Sequence, residues 1–579
     1  MVRRFHVVAI LICLFSTSAR AQGFLKVRDT IIVNERNEEV ILRGMGLGGW
    51  MLQEGYMFRL GNIGQQHKIR EKIQDLVGAE KTQVLYDAWL ANHTTKRDID
   101  SLAAWGFNSV RLPMHFNLYT LPVADEPVAG KQTWLEKGFA LTDSLLNWCK
   151  ANKMYLILDL HATLGGQGND LPISDRHPDQ PSLWESEANR EKTIALWKKL
   201  AERYANEPWI GGYDIINEPN WGFEDPEDTR GTKESQNKPL RQLMQDITKA
   251  IREVDKKHII IIEGNGFGNN YRGIMPTWDD NMVLSFHKYG NFATIPTIQQ
   301  FLNLRTTYRV PLWLGESGEN SNTWFTNTIR LAEEEHIGWA WWQLKKIGIN
   351  NPLEIKMTPG YQAILDYWSN KGSKPSADEA YRALTEFFNN TRVENNIYHP
   401  DVVDAMIRQV KSAEAIPFKK HLIQDKAIIK AVDFDLGRNL IAYSDADTAS
   451  YHYTPGVNTQ GNRGYAYRND GVDIRKEETD FVVFHTEDGE WLQYTTHAPA
   501  KGTYTIQVKI ARENKDKQPA IKVSDNGVVL AGNLEVPASG NDWETLTIPN
   551  VKFSKGAHKL RIEFTTGGSK LKEILFVKQ

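Results

Sequence analysis

The sequence predicts an α/β fold, a (β/α)8 TIM barrel, followed by an all-β sandwich of jelly-roll type, and three observations carry that expectation. From about residue 24 to 350, short β-branched runs alternate with longer amphipathic stretches, the pattern of βα units around a parallel sheet. Several of those apolar runs end in polar side chains, namely Arg111, His161, Glu218, His287, Tyr289 and Glu316. Barrels collect working residues at the C-terminal ends of their strands, so this placement agrees with the fold. Beyond residues 413–420 the pattern changes to short strands separated by turns, which suits a sandwich.

Eight runs supply the barrel strands: residues 40–44, 109–113, 156–160, 212–216, 259–264, 283–287, 311–315 and 338–342. Helical patterns lie between them, as at residues 193–200 and 243–248. Ahead of the first strand, residues 25–33 with Asn37 and Glu38 read as a hairpin that plugs the N-terminal end of the barrel. After the eighth, residues 379–388 and 402–410 read as helices that pack on its outside. In the last part, residues 503–510, 520–523, 545–548 and 559–564 read as strands. Asp525-Asn526-Gly527 marks a hairpin, because an Asn-Gly pair suits the left-handed turn that joins two twisted strands.

At 579 residues the chain exceeds what one core holds, which favours at least two domains. The net charge of −3 gives no basic footprint and argues against nucleic acid. Arg3 and Arg4, an apolar run over residues 7–15 and Ala19-Arg20-Ala21 together read as a secretory signal. Ile12 before Cys13 disfavours a lipid anchor, and no later run reaches the ~20 apolar residues of a membrane helix. Cys13 leaves with the signal, so Cys149 stands alone, without a disulfide, as buried packing. The expected map is a signal peptide over 1–21, a barrel over 22–412, a linker over 413–425 and a sandwich over 426–579. The product is a secreted monomer without a membrane span.

Two motifs carry chemistry: Ile215-Ile216-Asn217-Glu218-Pro219 and Leu314-Gly315-Glu316-Ser317-Gly318. A barrel brings these distant glutamates together, and two facing carboxyls are what glycoside hydrolysis needs, one to protonate the leaving oxygen and one to attack the anomeric carbon. Glu218, before a proline, is the expected acid, with its pKa raised by its surroundings. Glu316 is the expected ionised nucleophile, held by Arg111 and Tyr289. Trp342 is the expected floor for the sugar, and Asp159 the support of His161. His161 and His287 lack His-x-His or His-Glu-x-x-His spacing, so neither a metal nor a cofactor is expected.

The ordered set Arg43–Trp50, Val110-Arg111-Leu112-Pro113, Leu158–Ala162, Asn217-Glu218-Pro219, His287-Lys288-Tyr289, Gly315-Glu316 and Trp342–Lys345 resembles glycoside hydrolase family 5 over about residues 24 to 350. That resemblance implies retention of anomeric configuration, Glu218 as acid/base and Glu316 as nucleophile. It also implies substrate contacts from Arg111, His161, Asn217, His287, Tyr289, Trp342 and Trp50, and a polysaccharide or oligosaccharide as partner. Leu47-Gly48-Gly49-Trp50 and residues 158–166 resemble the exo-acting β-1,3-glucanase branch, which carries Asn where Gly46 stands here. The loop 165–184, with Asp170, Asp175, Arg176 and Trp184, decides between a blocked and an open cleft. The expected activity is endo-β-1,4-glucanase. Exo-β-1,3-glucanase is the nearest alternative, then β-mannanase or glycolipid glucosidase, with a non-catalytic glycan-binding protein as the reading from another class.

The C-terminal region resembles a family 6 carbohydrate-binding module through residues 431–435, 464–468, 489–494 and 500–504. The resemblance implies Tyr467 and Trp543 as the sugar-stacking pair. Lys430, Val432, Lys570 and Lys572 stand where that family offers ligands to calcium, and an ammonium in their place substitutes for the cation's charge.

Overall fold

The computed structural model describes residues 23–225, 227–446, 462–513, 516–538 and 543–579, and in it eight parallel strands close into a barrel. They are β1 (Arg43–Gly46), β2 (Ser109–His115), β3 (Tyr155–Ala162), β4 (Ile210–Asp214), β5 (Ile260–Glu263), β6 (Met282–Lys288), β7 (Leu312–Gly318) and β8 (Gly338–Trp342). Each pairs with its sequence neighbour, and β8 returns to β1 through Trp339↔Arg43 and Trp341↔Met45. All eight are buried along almost their whole length, which is why they read as near-continuous apolar runs. Although β4 ends at Asp214, the amides of Ile215 and Asn217 still donate to Ile261 and Leu160, so the chain stays in the barrel wall as far as Glu218.

Helices α1 (Gln66–Val77), α2 (Ala79–His93) and α3 (Lys96–Trp105) connect β1 to β2. After β2, β3 and β4 come α4 (Glu136–Ala151), α5 (Glu187–Tyr204) and α6 (Lys238–Val254). α7 (Ile295–Tyr308) follows β6, and α8 (Asn322–Glu334) follows β7. In α6 the apolar residues Leu240, Leu243, Met244, Ile247 and Ile251 recur at helical spacing and are the ones buried. The fifth unit departs from expectation: only the turn Asn265–Gly268 stands between β5 and β6. Gly264, Gly266, Gly268 and Gly273, interleaved with Asn265, Asn269 and Asn270, deprive that stretch of helix propensity.

Past β8, helices α9 (Pro359–Trp368), α10 (Ala377–Asn389) and α11 (Pro400–Met406) cover the outside. Phe387 and Phe388 of α10 meet Phe58 and Trp89 edge to face. The helix expected over 402–410 breaks at Ile407 and resumes as Arg408–Lys411. At the opposite end of the barrel, the hairpin of Lys26–Arg28 and Ile31–Val33 buries Leu25, Ile32 and Leu42 against Tyr155, Ile157, Ile261, Val283 and Trp313. That end is therefore sealed by apolar packing, leaving the C-terminal mouth for polar chemistry. Cys149 is fully buried, and burial pushes its thiol pKa up, as suits a packing residue.

The sandwich is built of two antiparallel-rich sheets whose long strands are Glu490–Ala498, Gly556–Thr566 and Ala520–Asp525 in one, and Ser569–Lys578, Gly502–Arg512 and Glu544–Phe553 in the other. Asn526 and Gly527 take φ of +48° and +82°, the pair of left-handed residues that a type I′ hairpin requires. The predicted signal over 1–21 lies outside the described residues. No helix among the described residues is long and apolar enough to cross a membrane.

Leu42 is 1% exposed in the plug. Leu42→Ala is expected to cost about 2–5 kcal/mol and lower the urea midpoint followed by tryptophan fluorescence. An unchanged midpoint would show the seal to be dispensable.

Candidate active site

Arg111 on β2 sits at the bottom of the mouth with no exposure and carries the only guanidinium in a crowd of carboxyls. Its Nη1 donates to Glu316 Oε2 at 2.8 Å, and its Nη2 donates to Asn217 Oδ1 at 2.7 Å, Asp214 Oδ2 at 2.9 Å and Glu263 Oε1 at 3.1 Å. Asp159 Oδ2 lies 3.3 Å from the same nitrogen. Burial and the neighbouring charge of Glu263 push the Asp214 carboxyl well above the usual range, against the pull of Arg111.

Glu316, at the end of β7, receives the second of its donors from Tyr289, whose hydroxyl lies 2.8 Å from Oε1. Burial and the charge of Glu316 carry the Tyr289 phenol well above its ordinary value, so it remains a donor. Both oxygens of Glu316 are thus fixed by groups that favour a carboxylate anion.

Glu218 has φ of +42°, a backbone strain typical of functional positions, and Pro219 follows it directly. Its amide donates to Glu263 Oε2 at 2.8 Å, and its Oε1 lies 2.6 Å from His287 Nδ1. His287 Nε2 is 3.1 Å from Glu263 Oε1, off the straight hydrogen-bond line, so that contact is chiefly electrostatic. Burial alone would depress the His287 pKa, yet Glu263, Glu316 and Glu218 together carry it well above the ordinary histidine value. For Glu263, burial acts upward, but His287 and Arg111 hold its carboxyl at about 2. Ligand atoms of Glu218, His287 and Glu316 all lie within 4.8 Å of one another. The spacing would suit a cation, but the Arg111 guanidinium on Glu316 already supplies one.

His161 at the end of β3 contacts Asp159 through Nδ1 at 2.7 Å, which leaves Nε2 to accept from Asn217 Nδ2 at 3.2 Å. Its ring is parallel to Trp342, with centroids 5.3 Å apart. The Trp342 indole lies on the backbone of β1 and the turn after it. A Cβ on Gly46 would come within 2.8 Å of Trp342 Cε3, and one on Gly48 within 2.7 Å of Cη2. Trp342 Nε1 donates to the Tyr56 hydroxyl at 2.9 Å.

The structure therefore brings Arg111, His161, Asn217, Glu218, His287, Tyr289, Glu316 and Trp342 to one mouth. Trp50 is not among them. After Gly49, at φ of +85°, the chain turns inward; Trp50 is 1% exposed, and its indole donates to Leu90 O at 2.8 Å on α2. It is a core residue rather than a sugar platform. Three residues of the mouth escaped the sequence reading. Glu263 ends β5 after Ile260-Ile261-Ile262, the same signal that marked the others. Asp214 lies inside an apolar strand. Glu54 sits in the loop after β1 with no pattern to reveal it, and its Oε1 lies 3.9 Å from His161 Nε2. Burial, then the charges of Glu316 and Glu218, raise the Glu54 carboxyl well above its usual range.

In the sandwich, the Tyr467 hydroxyl donates to Asp433 and accepts from Lys419 Nζ at 2.6 Å, with its ring against Phe481. Trp543 faces Lys570 and Lys572, whose ammonium groups lie 5.0 and 5.7 Å from its ring. Lys430 Nζ donates to Asp480 and Glu573 at 2.8 and 2.7 Å. An ammonium thus lies between two acids at a position where the family 6 resemblance expected a calcium ligand.

Residues 70–348 match the cellulase family, glycosyl hydrolase family 5, and residues 468–575 match carbohydrate binding module family 35. The second match corrects the family 6 expectation: the class of module was legible, its family was not. A beta-xylosidase of Phanerodontia chrysosporium is 26% identical over 386 residues, covering 60% of this chain and 76% of that protein. Endoglucanase C of Acetivibrio thermocellus is 30% identical over 200 residues, covering 34% of this chain; the chain spans about half of that relative, 51% of its length. Among solved structures, endoglucanase Cel5A of Thermotoga maritima, 19% identical, overlays 50% of this chain and 90% of its own at a TM-score of 0.34. Residues 70–348 therefore form a glycoside hydrolase domain of family 5, a retaining enzyme of O-glycosyl bonds, and residues 468–575 a carbohydrate-binding module of the family 35 type.

Proposed function

We propose that this chain is an exported endo-β-1,4-glucanase that works by double displacement, with Glu218 as acid/base and Glu316 as nucleophile. The observation that carries the reading is the approach of a Glu218 oxygen to within 4.8 Å of a Glu316 oxygen. Retaining enzymes hold their carboxyls at about 5–5.5 Å, whereas inverting ones need about 6.5–9.5 Å to admit a water. In the first step Glu218 gives its proton to the glycosidic oxygen as Glu316 Oε1 or Oε2 attacks the anomeric carbon. The leaving alcohol departs and a glycosyl ester remains on Glu316. In the second step Glu218, now bare, takes a proton from water, which displaces Glu316 and restores both groups. Asn217 has one Nδ2 hydrogen beyond its bond to His161 to offer a sugar hydroxyl, and Glu54 lies beside the same histidine.

A second reading, cleavage from chain ends as in the β-1,3-glucanase branch, is favoured by the loop after β3. Asp175, at φ of +51°, is held by His67 at 2.7 Å and His115 at 3.0 Å, and Pro172 lies directly over Gly64. This loop meets the loop after β1 and the start of α1. The module would hold glycan, with Tyr467 and Trp543 as its candidate stacking residues.

Glu316→Ala and Glu218→Gln are each expected to lower kcat on an aryl β-glucoside by about 10³-fold or more, with thermal unfolding nearly unchanged. Full activity in either variant ends the assignment. Cello-oligosaccharides cut internally support the endo reading. Glucose alone, released from laminarin ends, moves the assignment to the chain-end reading.

His287 Nδ1, 2.6 Å from Glu218 Oε1, is the titrating group that faces the expected acid. Because the folded His287 pKa is raised, its stabilising contribution is complete below the unfolded value of about 6.5 and is lost only as pH rises through the higher folded value. The alkaline limb of kcat/KM is accordingly expected well above the ordinary histidine range. Glu263→Gln, which removes a carboxylate facing His287 alongside Glu218 and Glu316, is expected to shift that limb downward. A limb that stays in place would detach Glu263 from that titration.

A further inference from the structure

The sandwich reaches the loop that follows the nucleophile strand. Glu316 is followed by four residues, Ser317 to Asn320, and each carries an anchor. The Ser317 hydroxyl donates to Lys288 O at 2.7 Å on β6. Gly318, at φ of +145°, is pressed against the Trp342 carbonyl so closely that a Cβ would lie 2.2 Å from it. Glu319, at φ of +52°, pairs with Lys346. The last anchor comes from the other domain. Asn469 Nδ2 donates to Asn320 O at 2.8 Å and to Asn322 Oδ1 at 3.1 Å, and the Asn322 amide donates to Asn469 O at 2.9 Å.

That amide is the first of α8, one of the helix-start donors that has no partner within its own helix. The sandwich backbone supplies the acceptor. Asn322 Nδ2 also reaches Asp401 Oδ2 at 2.9 Å and Asp470 Oδ1 at 3.1 Å, and Asp401 Oδ2 accepts from the Asn469 amide at 2.8 Å. Asp470 in turn holds Arg468 Nε at 2.8 Å, and Arg468 lies 3.7 Å over the Phe434 ring in the sandwich core. Asn320, Asn322, Asp401, Arg468, Asn469 and Asp470 are all at most 1% exposed. Water cannot replace any of these bonds without opening the interface.

The geometry points to Asn469 as a positioning residue for catalysis: through Asn320 and Asn322 it fixes the carboxyl end of β7 and so the aim of Glu316. The module then buttresses the loop behind the nucleophile. This inference rests on Glu316 as nucleophile and is independent of linkage. A small misplacement of an attacking atom is costly, with about 10²-fold lost for 1 Å.

The test compares two full-length variants with the wild type on an aryl β-glucoside too small to engage the module, and in the rate at which a 2-deoxy-2-fluoro glucosyl fluoride labels Glu316. Asn469→Ala is expected to lower kcat and the labelling rate constant by about tenfold or more, with KM within about twofold. Arg438→Ala is the control. Arg438 joins the same two bodies through Gln409 O at 2.8 Å and Val410 O at 3.3 Å, with no bond to the loop after β7. It is expected to lower the melting temperature at unchanged kcat. Unchanged kcat and labelling in Asn469→Ala overturn the inference, and so do equal losses in both variants, which would report destabilisation alone. If the wild type is not labelled at Glu316, the nucleophile assignment itself fails, and the inference with it.

Discussion

One buried guanidinium organises the mouth of this barrel. Arg111 stands among Asp159, Asp214, Glu263 and Glu316 with no exposure to solvent, and one positive charge cannot balance four ionised acids in that setting. The protein resolves the imbalance with protons. Asp214 is pushed toward its protonated form, while His287 is drawn toward the cationic form and compensates Glu263. Glu316 receives the two donors, Arg111 and Tyr289, that jointly hold its oxygens. The division of labour proposed for the two glutamates follows from which neighbours each received: fixed donors for Glu316, and for Glu218 the imidazole of His287 at 2.6 Å.

The second constraint is steric. The indole of Trp342 lies on backbone, and it can do so because Gly46 and Gly48 have no side chains to hold it off. This accounts for the departure from the exo-acting branch at Gly46. An asparagine there would collide with the six-membered edge of the ring, so the residue and the ring orientation form a matched pair. Tyr56 completes the arrangement by accepting from the indole nitrogen while leaving its own ring 40% exposed at the rim.

What the sequence disclosed, and what it withheld, divides along the same physical line. Strands buried on both faces announce themselves as apolar runs, so the eight barrel strands, and the polar residues that end them, were readable locally. The Asn526-Gly527 turn was readable because its backbone demands those residues. Contacts between distant segments were not readable. Trp50 followed a family motif to the rim, but its side chain goes where Gly49 turns the chain. Glu54 lies in a loop whose neighbours in space are His161 and the two glutamates, none near it in sequence. The missing fifth helix was visible in the run of Gly and Asn from Gly264 to Gly273, but the count of eight βα units overrode that local evidence. Lys430 pairs with Asp480 and Glu573, a contact that the departure from the motif at Lys430 hints at without specifying.

The same reasoning bears on why the two domains meet through asparagines. An apolar contact tolerates sliding, since its free energy follows the area covered rather than the partner chosen. A lattice in which Asn322 and Asn469 exchange backbone and side-chain bonds does not, because a shift of one residue strands buried donors and acceptors at a cost of about 1–3 kcal/mol each. Polar burial is a poor source of net stability, and the large apolar cores of the barrel and the sandwich already provide that. What the lattice adds is register, and it lies four residues from Glu316. Had the sandwich served only to hold glycan near the barrel, a flexible tether would have sufficed, and the loop after β7 could have been capped from within its own domain.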